Sequence, residues 1–213
     1  MSELAQNISQ GAMTLAAKDV KLKELIDVFG IPDLSRGGDP YEALVRSIIS
    51  QQISWKAARA IMGRFLGLFP GTDFPAPKQL ASADLGRLRE AGLSQRKAEY
   101  VMGIAESFMS PGFLGNEMDA LSETDISEKL TSIRGVGQWT ADMFMIFTMA
   151  RLDVLPLNDQ GIKNGIQKFF GLDHLPVPEE MTVLTDHWRP YRSIGSWYMW
   201  KVVDEDFEWE GGS

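Results

Sequence analysis

The sequence predicts an all-α fold, and three observations carry that prediction. Apolar residues recur at spacings of three and four along most of the chain, segments that alternate like a half-buried strand are scarce, and Ser, Thr or Asp stands repeatedly just ahead of the periodic runs. About ten helices fit the chain once ordinary helix and connection lengths are allowed. With 44% hydrophobic content, 213 residues can bury a real core as one large unit or two smaller ones.

Taken in order, the first clear segment is a helix near Leu22 to Phe29, and nothing before Lys18 reads as strand. Leu44, Ile48, Ile49 and Ile53 share a helical face, as do Ala58, Ile61, Met62, Phe65 and Leu66, which gives two amphipathic helices separated near Ser54. Gly67 and Phe69-Pro70-Gly71 end the second. Pro75 and Pro77 mark a loop before the segment from Leu80 to Ala91, and Gly92-Leu93-Ser94 introduces a helix from Arg96 to Met109 that Pro111-Gly112 closes. Ser122 or Thr124 caps the next helix, which runs to Leu130.

After Gly135-Val136-Gly137, a helix places Trp139, Met143, Ile146 and Ala150 on one face. Pro156 interrupts the chain. Asn158 and Asp159 suit a helix start, Ile162, Ile166 and Phe169 share one side of the helix to Phe170, and Gly171 suits its end. A last helix covers Arg192 to Val203. The chain carries no internal repeat, low-complexity tract or heptad array.

Composition narrows the function classes. The chain has no cysteine, which excludes disulfides and thiolate metal sites and fits a reducing, intracellular setting. His174 and His187 are isolated without metal-ligand spacing, so no catalytic metal is expected. No apolar run is long enough to span a membrane and the start of the chain lacks a secretory pattern, so a cytoplasmic protein with no membrane partner is expected. The net charge of −8 disfavours a polyanion partner on its face. Its distribution softens this: Glu205, Asp206, Glu208 and Glu210 form an acidic tail, while Arg46, Lys56, Arg59, Arg96, Lys97 and Arg134 lie in or near the segments that would face such a partner.

The most informative stretch is Ile133-Arg134-Gly135-Val136-Gly137-Gln138-Trp139-Thr140-Ala141. A Gly-x-Gly turn opening an apolar helix lets backbone amides approach an anion at a point where the helix start favours negative charge, so this corner suits a phosphate. Pro156-Leu157-Asn158-Asp159 follows one helix and one loop later. On local sequence alone, Asp159 is a helix cap.

Together, Gly135, Gly137, Pro156 and Asp159 resemble the signature of the helix-hairpin-helix DNA glycosylases, in which a Gly-rich hairpin and a Pro-containing loop precede a catalytic Asp at a helix start. Ser50-Gln51-Gln52-Ile53-Ser54 upstream and Trp188-Arg189-Pro190-Tyr191-Arg192-Ser193 downstream make the alkylpurine (3-methyladenine DNA glycosylase II) branch the best match, over Tyr41 to Val203. The absent cysteines exclude the relatives that carry a four-cysteine iron–sulfur cluster.

The resemblance implies two helical subdomains with the active-site cleft between them: residues 40–148, which contain the hairpin, and residues 1–39 plus 149–213. It implies a monomeric enzyme of base excision repair that binds double-stranded DNA, flips out an alkylated purine of the 3-methyladenine or 7-methylguanine type, and hydrolyses its N-glycosidic bond. Asp159 would stabilise the cationic sugar and orient water. An alkylated purine is already cationic, so one carboxylate suffices where ordinary glycosidases need two.

Lyase relatives carry a Schiff-base Lys where this chain has Trp139, which implies a monofunctional glycosylase. Trp139 would also stack on the cationic base, although a Trp on an apolar helix face is more often core. Trp200 matches a family position that walls the base pocket, and Trp197, one turn earlier, either joins it or packs. Trp188 reads as packing. Gln52 sits where relatives insert a side chain into the vacated stack, and equally where a helix-end glutamine bonds backbone; Leu93 and Ser94 are weaker candidates for the opposite strand.

The amides of Gly135, Val136 and Gly137 would hold phosphate, and Arg134, standing where many relatives have Pro, adds a charge that reaches DNA. The resemblance further implies no cofactor beyond a structural monovalent cation on the backbone carbonyls of Thr131, Ile133 and Val136. Two other readings stay open: a non-catalytic helix-hairpin-helix DNA-binding module in which Asp159 only caps, and a glycosylase for deaminated or oxidised bases.

Overall fold

Side chains that accept the first free amides set most helix starts. The computed structural model describes residues 2–113 and 115–204, and among them there are twelve α-helices, two 3-10 turns and no strand. Ser2, Asp39, Ser54, Asp84, Ser94 and Ser122 each accept the amide three residues on, which satisfies a donor that the helix cannot. The acidic residues Glu205, Asp206, Glu208 and Glu210 lie outside the described residues.

By internal contacts the chain divides into two units, one of residues 37–144 and one of residues 1–36 with 145–213. Both boundaries fall a few residues before the expected ones at 40 and 148. The first unit holds α3 (Pro40–Ser50), α4 (Trp55–Gly67), α5 (Pro77–Ala81), α6 (Leu85–Glu90), α7 (Gln95–Ser107), a 3-10 turn (Gly115–Ala120), α8 (Glu123–Thr131) and most of α9 (Gln138–Phe147). Here α7 packs against α3, α5 and α6, and Leu44, Ile48, Leu80, Leu88, Val101 and Ile104 are fully buried. The expected segment from Leu80 to Ala91 is two short helices, because Asp84 starts a new one by accepting the Arg87 amide.

The second unit is built from both ends of the chain: α1 (Glu3–Lys18), α2 (Val20–Phe29), α10 (Gln160–Phe170), α11 (Pro178–Leu184), a 3-10 turn (Asp186–Trp188) and α12 (Arg192–Val202). Helices α1 and α11 were not expected. The inner face of α1 is Ile8, Gly11, Ala12 and Leu15, small residues that weaken an apolar pattern yet let Ile194 and Tyr191 close over Gly11. Trp188 is fully buried, stacked on Phe170 at 6.0 Å and edge-on to Phe169 at 5.9 Å. The Tyr198 hydroxyl, whose pKa burial raises, donates to the Gly30 carbonyl at 2.7 Å and ties α12 to the end of α2.

One helix end departs from expectation. The periodic face from Trp139 to Ala150 predicts helix throughout, but α9 stops at Phe147 and Ala150 takes φ +55°, with the Arg151 amide returning to the Met145 carbonyl at 2.9 Å. No Gly or Pro announces that stop.

Helices α10 and α12 pack directly on one another, and Gly165 leaves its surface bare against the Met199 backbone. A Cβ there would overlap the Met199 carbonyl, and backbone yields less readily than a side chain. Gly165→Ala is therefore expected to destabilise the protein by about 2 kcal/mol or more, lowering the melting temperature by roughly 4–8 °C in a thermal scan.

Candidate functional site

Asp159 is the N-cap of α10, reached through a turn in which its amide bonds the Pro156 carbonyl at 3.1 Å. Its Oδ1 accepts two hydrogen bonds, from the Ile162 amide at 2.8 Å and from the indole N–H of Trp200 at 2.9 Å. Capping and orientation thus coexist in one carboxylate: the amide holds it at the positive end of α10, and the indole sets its rotation.

Trp200 reaches Asp159 because Gly161 makes room. A Cβ on Gly161 would lie 2.9 Å from the indole Cδ1 and 3.1 Å from Asp159 Oδ1. On the other side the ring lies against Phe147, with centroids 5.7 Å apart and planes tilted by 30°. Neither Gly161 nor Phe147 was singled out in the sequence; two glycines spaced four apart on an apolar helix, Gly161 and Gly165, were the available signal. Trp197, by contrast, turns its ring to Phe29 and Tyr198 with the Lys201 ammonium 5.3 Å from its centroid, so the structure gives it packing partners rather than Asp159.

The loop that leads to Asp159 is held by the start of α12. Asp153 accepts from the Arg192 guanidinium at 2.7 and 2.9 Å and from Arg189 at 3.0 Å. Ser193 continues the clasp, donating to the Arg151 carbonyl at 2.6 Å and accepting the Val154 amide at 2.9 Å. A two-point Arg–carboxylate pair restricts orientation as well as distance. The Arg-Pro-Tyr-Arg-Ser stretch therefore supports the Asp159 loop.

The hairpin belongs to the other unit. Between α8 and α9, Ile133 and Val136 are buried as anchors, and the Val136 amide bonds the Ile133 carbonyl at 3.0 Å. Gly135 has φ +95° and faces Tyr100 so closely that a Cβ would overlap the ring. Gly137 is exposed, and a Cβ there would meet nothing within 4 Å. The two glycines thus differ: one is demanded by the fold, and the other leaves bare backbone at the mouth of α9. Gln138 joins the two legs, donating to Ser127 at 2.9 Å and to the buried Asp142 at 2.8 Å.

Arg134 is largely exposed, with Glu99 at 3.6 Å and the Tyr100 ring at 5.8 Å. Trp139 is 46% exposed on the first turn of α9, which overturns its reading as ordinary core. The carbonyls of Thr131, Ile133 and Val136 line the turn, and the one on Ile133 spends a single lone pair on Val136. Neutral carbonyl oxygens are donors that suit a hard monovalent cation better than a soft metal. Among the described residues no cluster of His, Asp or Glu could hold a metal ion, and no helix is long and apolar enough to cross a membrane.

Gln52 has φ +56° and is exposed just past α3. Two contacts brace it. The Lys97 ammonium donates to the carbonyls of Ile49 and Gln51 at 2.8 and 2.7 Å, satisfying the free end of α3, and the Gln51 amide donates to Thr140 of α9 at 3.2 Å. Burial moves the Lys97 pKa below its ordinary value. Gln51 and Lys97 are brought together from distant sequence, so no local pattern could have found them. Leu93 is buried, and Ser94 caps α7.

The HhH-GPD superfamily base excision DNA repair protein model matches residues 45–190. An alkylbase DNA glycosidase-like protein of Schizosaccharomyces pombe is 38% identical over 165 residues, covering 76% of this chain and 78% of that protein. A 3-methyladenine DNA glycosylase of the same yeast, solved in complex with abasic DNA, superposes with a TM-score of 0.77 at 33% identity, covering 93% of this chain and 99% of that one. A DNA-3-methyladenine glycosidase of Bacillus halodurans superposes with a TM-score of 0.82 at 36% identity, covering 92% and 90%.

The glycines of the hairpin make a paired prediction. Gly135→Ala meets both a left-handed backbone and the Tyr100 ring and is expected to destabilise the protein by about 2–4 kcal/mol, whereas Gly137→Ala is expected to change stability by less than about 1 kcal/mol. Denaturant unfolding of the two variants beside the parent measures the split.

Proposed function

Because the chain belongs to the HhH-GPD superfamily of base excision DNA repair proteins, we propose that it is a monofunctional DNA glycosylase that hydrolyses the N-glycosidic bond of alkylated purines in double-stranded DNA. The observation that carries this reading is the Asp159 carboxylate, rotated into place by the Ile162 amide and the Trp200 indole. Relatives above 30% identity that are named for 3-methyladenine or alkylbase removal support the substrate class.

In the proposed reaction the glycosidic electron pair leaves with the cationic base, which departs neutral, and positive charge develops on the sugar. Asp159 stabilises that charge, and because its orientation is set before substrate arrives, little reorganisation is needed during the reaction. Water adds to the anomeric carbon and releases a proton, leaving an abasic site. Trp139, exposed on the helix that follows the hairpin, supplies an electron-rich face for a cationic purine. As an indole it cannot form the Schiff base by which a lysine would cut the backbone.

The amides at Gly135, Val136 and Gly137 hold a phosphate, Arg134 adds charge, and Gln52 fills the vacated stack. A monovalent cation on the carbonyls of Thr131, Ile133 and Val136 would add positive charge beside that phosphate. Hairpin and carboxylate lie in one chain, so a monomer is sufficient.

Asp159→Asn tests the reading cleanly, because an Asn Oδ1 keeps both hydrogen bonds and the cap while losing the charge. Release of methylated purines from methylated duplex DNA is expected to fall by about a hundredfold or more with binding to an abasic-site analogue retained. Equal binding with no release by either protein would instead mean a DNA-binding module. Trp200→Phe removes the indole donor while keeping a ring, and is expected to slow release by about tenfold with little change in affinity for DNA.

A further inference from the structure

Directly after Gln52 the chain presents two large apolar side chains to solvent, Ile53 at 37% and Trp55 at 74% exposure. A single exposed Ile is ordinary, but Trp is highly buried on average. Trp55 is also held rather than loose: the Arg59 guanidinium, one turn along α4, sits 5.4 Å from the ring centroid. This cation–π contact covers one side of the indole and steadies the ring while the rest faces outward.

The surrounding charge points to an anionic partner. Arg46 is bound to Glu42, Arg134 to Glu99, and Lys97 to the two carbonyls that end α3. Lys56 and Arg59 are exposed, and neither has an acidic partner among the described residues. A chain with net charge −8 has thus kept two cations without acidic partners, one of them resting on the indole, beside the most exposed Trp among the described residues. An aromatic platform flanked by free cations is how proteins hold nucleic-acid strands, whereas the centres of protein–protein interfaces are depleted of Lys.

We infer that Trp55, with Lys56 and Arg59, is a further DNA contact, separate from the hairpin. The free face of the indole lies on a sugar or base of the strand next to the Gln52 insertion, and the two cations take the phosphates on either side. The inference rests on the proposed function only in taking duplex DNA as ligand; it requires no hydrolysis.

The test is equilibrium binding of a labelled duplex carrying an abasic-site analogue, over a series of salt concentrations, together with release of methylated purines by the wild type. Trp55→Ala is expected to weaken binding about tenfold and Trp55→Phe to recover most of it. Lys56→Ala combined with Arg59→Ala is expected to flatten the salt dependence by one to two phosphate contacts. Trp55 buries little, so the melting temperature of Trp55→Ala should match wild type and a binding loss cannot be ascribed to misfolding.

If Trp55→Ala binds within twofold of wild type, the inference is overturned, whether or not base is released. If wild type releases no base but binding depends on Trp55, the contact stands and the glycosylase reading falls. Failure of wild type to bind the duplex would overturn both.

Discussion

A single carboxylate oxygen organises the second unit. Oδ1 of Asp159 serves the Ile162 amide and the Trp200 indole at once, so the start of α10 and the end of α12 are registered through one atom. Gly161 and Gly165 let the two helices come close enough for this, and the Asp153–Arg192–Ser193 clasp holds the incoming loop at the other end of α12. Removing the indole donor would leave the Ile162 amide on Oδ1 and take away the link from α10 to the end of α12. The packing of the unit and the orientation of the Asp159 carboxylate are therefore one problem with one solution.

The hairpin unit works through backbone more than through side chains. Gly135 adopts a conformation other residues resist, Gly137 strips the surface to amide, and Ile133 and Val136 sink the turn into the core. The same logic governs the Gln52 loop, where Lys97 satisfies the carbonyls that end α3 and Gln51 reaches Thr140, leaving Gln52 in a positive-φ conformation with its side chain outward. Rigid backbone at both places suits contact with a polymer whose repeating group is phosphate. Lys56 and Arg59 show that the overall acidic balance does not describe the local surface.

How much of this was legible in the sequence depended on range. Caps act over three residues, so Asp159 was readable and Ser122 was one of two candidates, while Ser54 and Ser94 were legible only as breaks between helices; the Gly-x-Gly turn was readable as well. The end of α9 was not, because Ala150 turns the chain without a breaker residue. Helix α1 escaped because its buried face is half Gly and Ala, whose smallness is an asset only once Tyr191 and Ile194 are known to lie over it. The indole on Asp159 spans 41 residues and the Lys97 bridge nearly 50, so only the fold could reveal them. Trp139 and Trp197, on different helices, illustrate the same limit from both sides, since one ring is exposed and the other packed.

The discontinuous make-up of the second unit has a consequence for the order of events in synthesis. Residues 37–144 form a contiguous unit that can condense as soon as it leaves the ribosome, hairpin included. Asp159 emerges afterwards, but the indole that orients it lies 41 residues further on, and the first helices must wait for the last to be covered. A nascent chain would complete the Gly135-Val136-Gly137 turn well before it could assemble the oriented carboxylate. The turn would precede the oriented carboxylate in the life of each molecule, and a chain broken off before Trp200 would keep the first without the indole on the second.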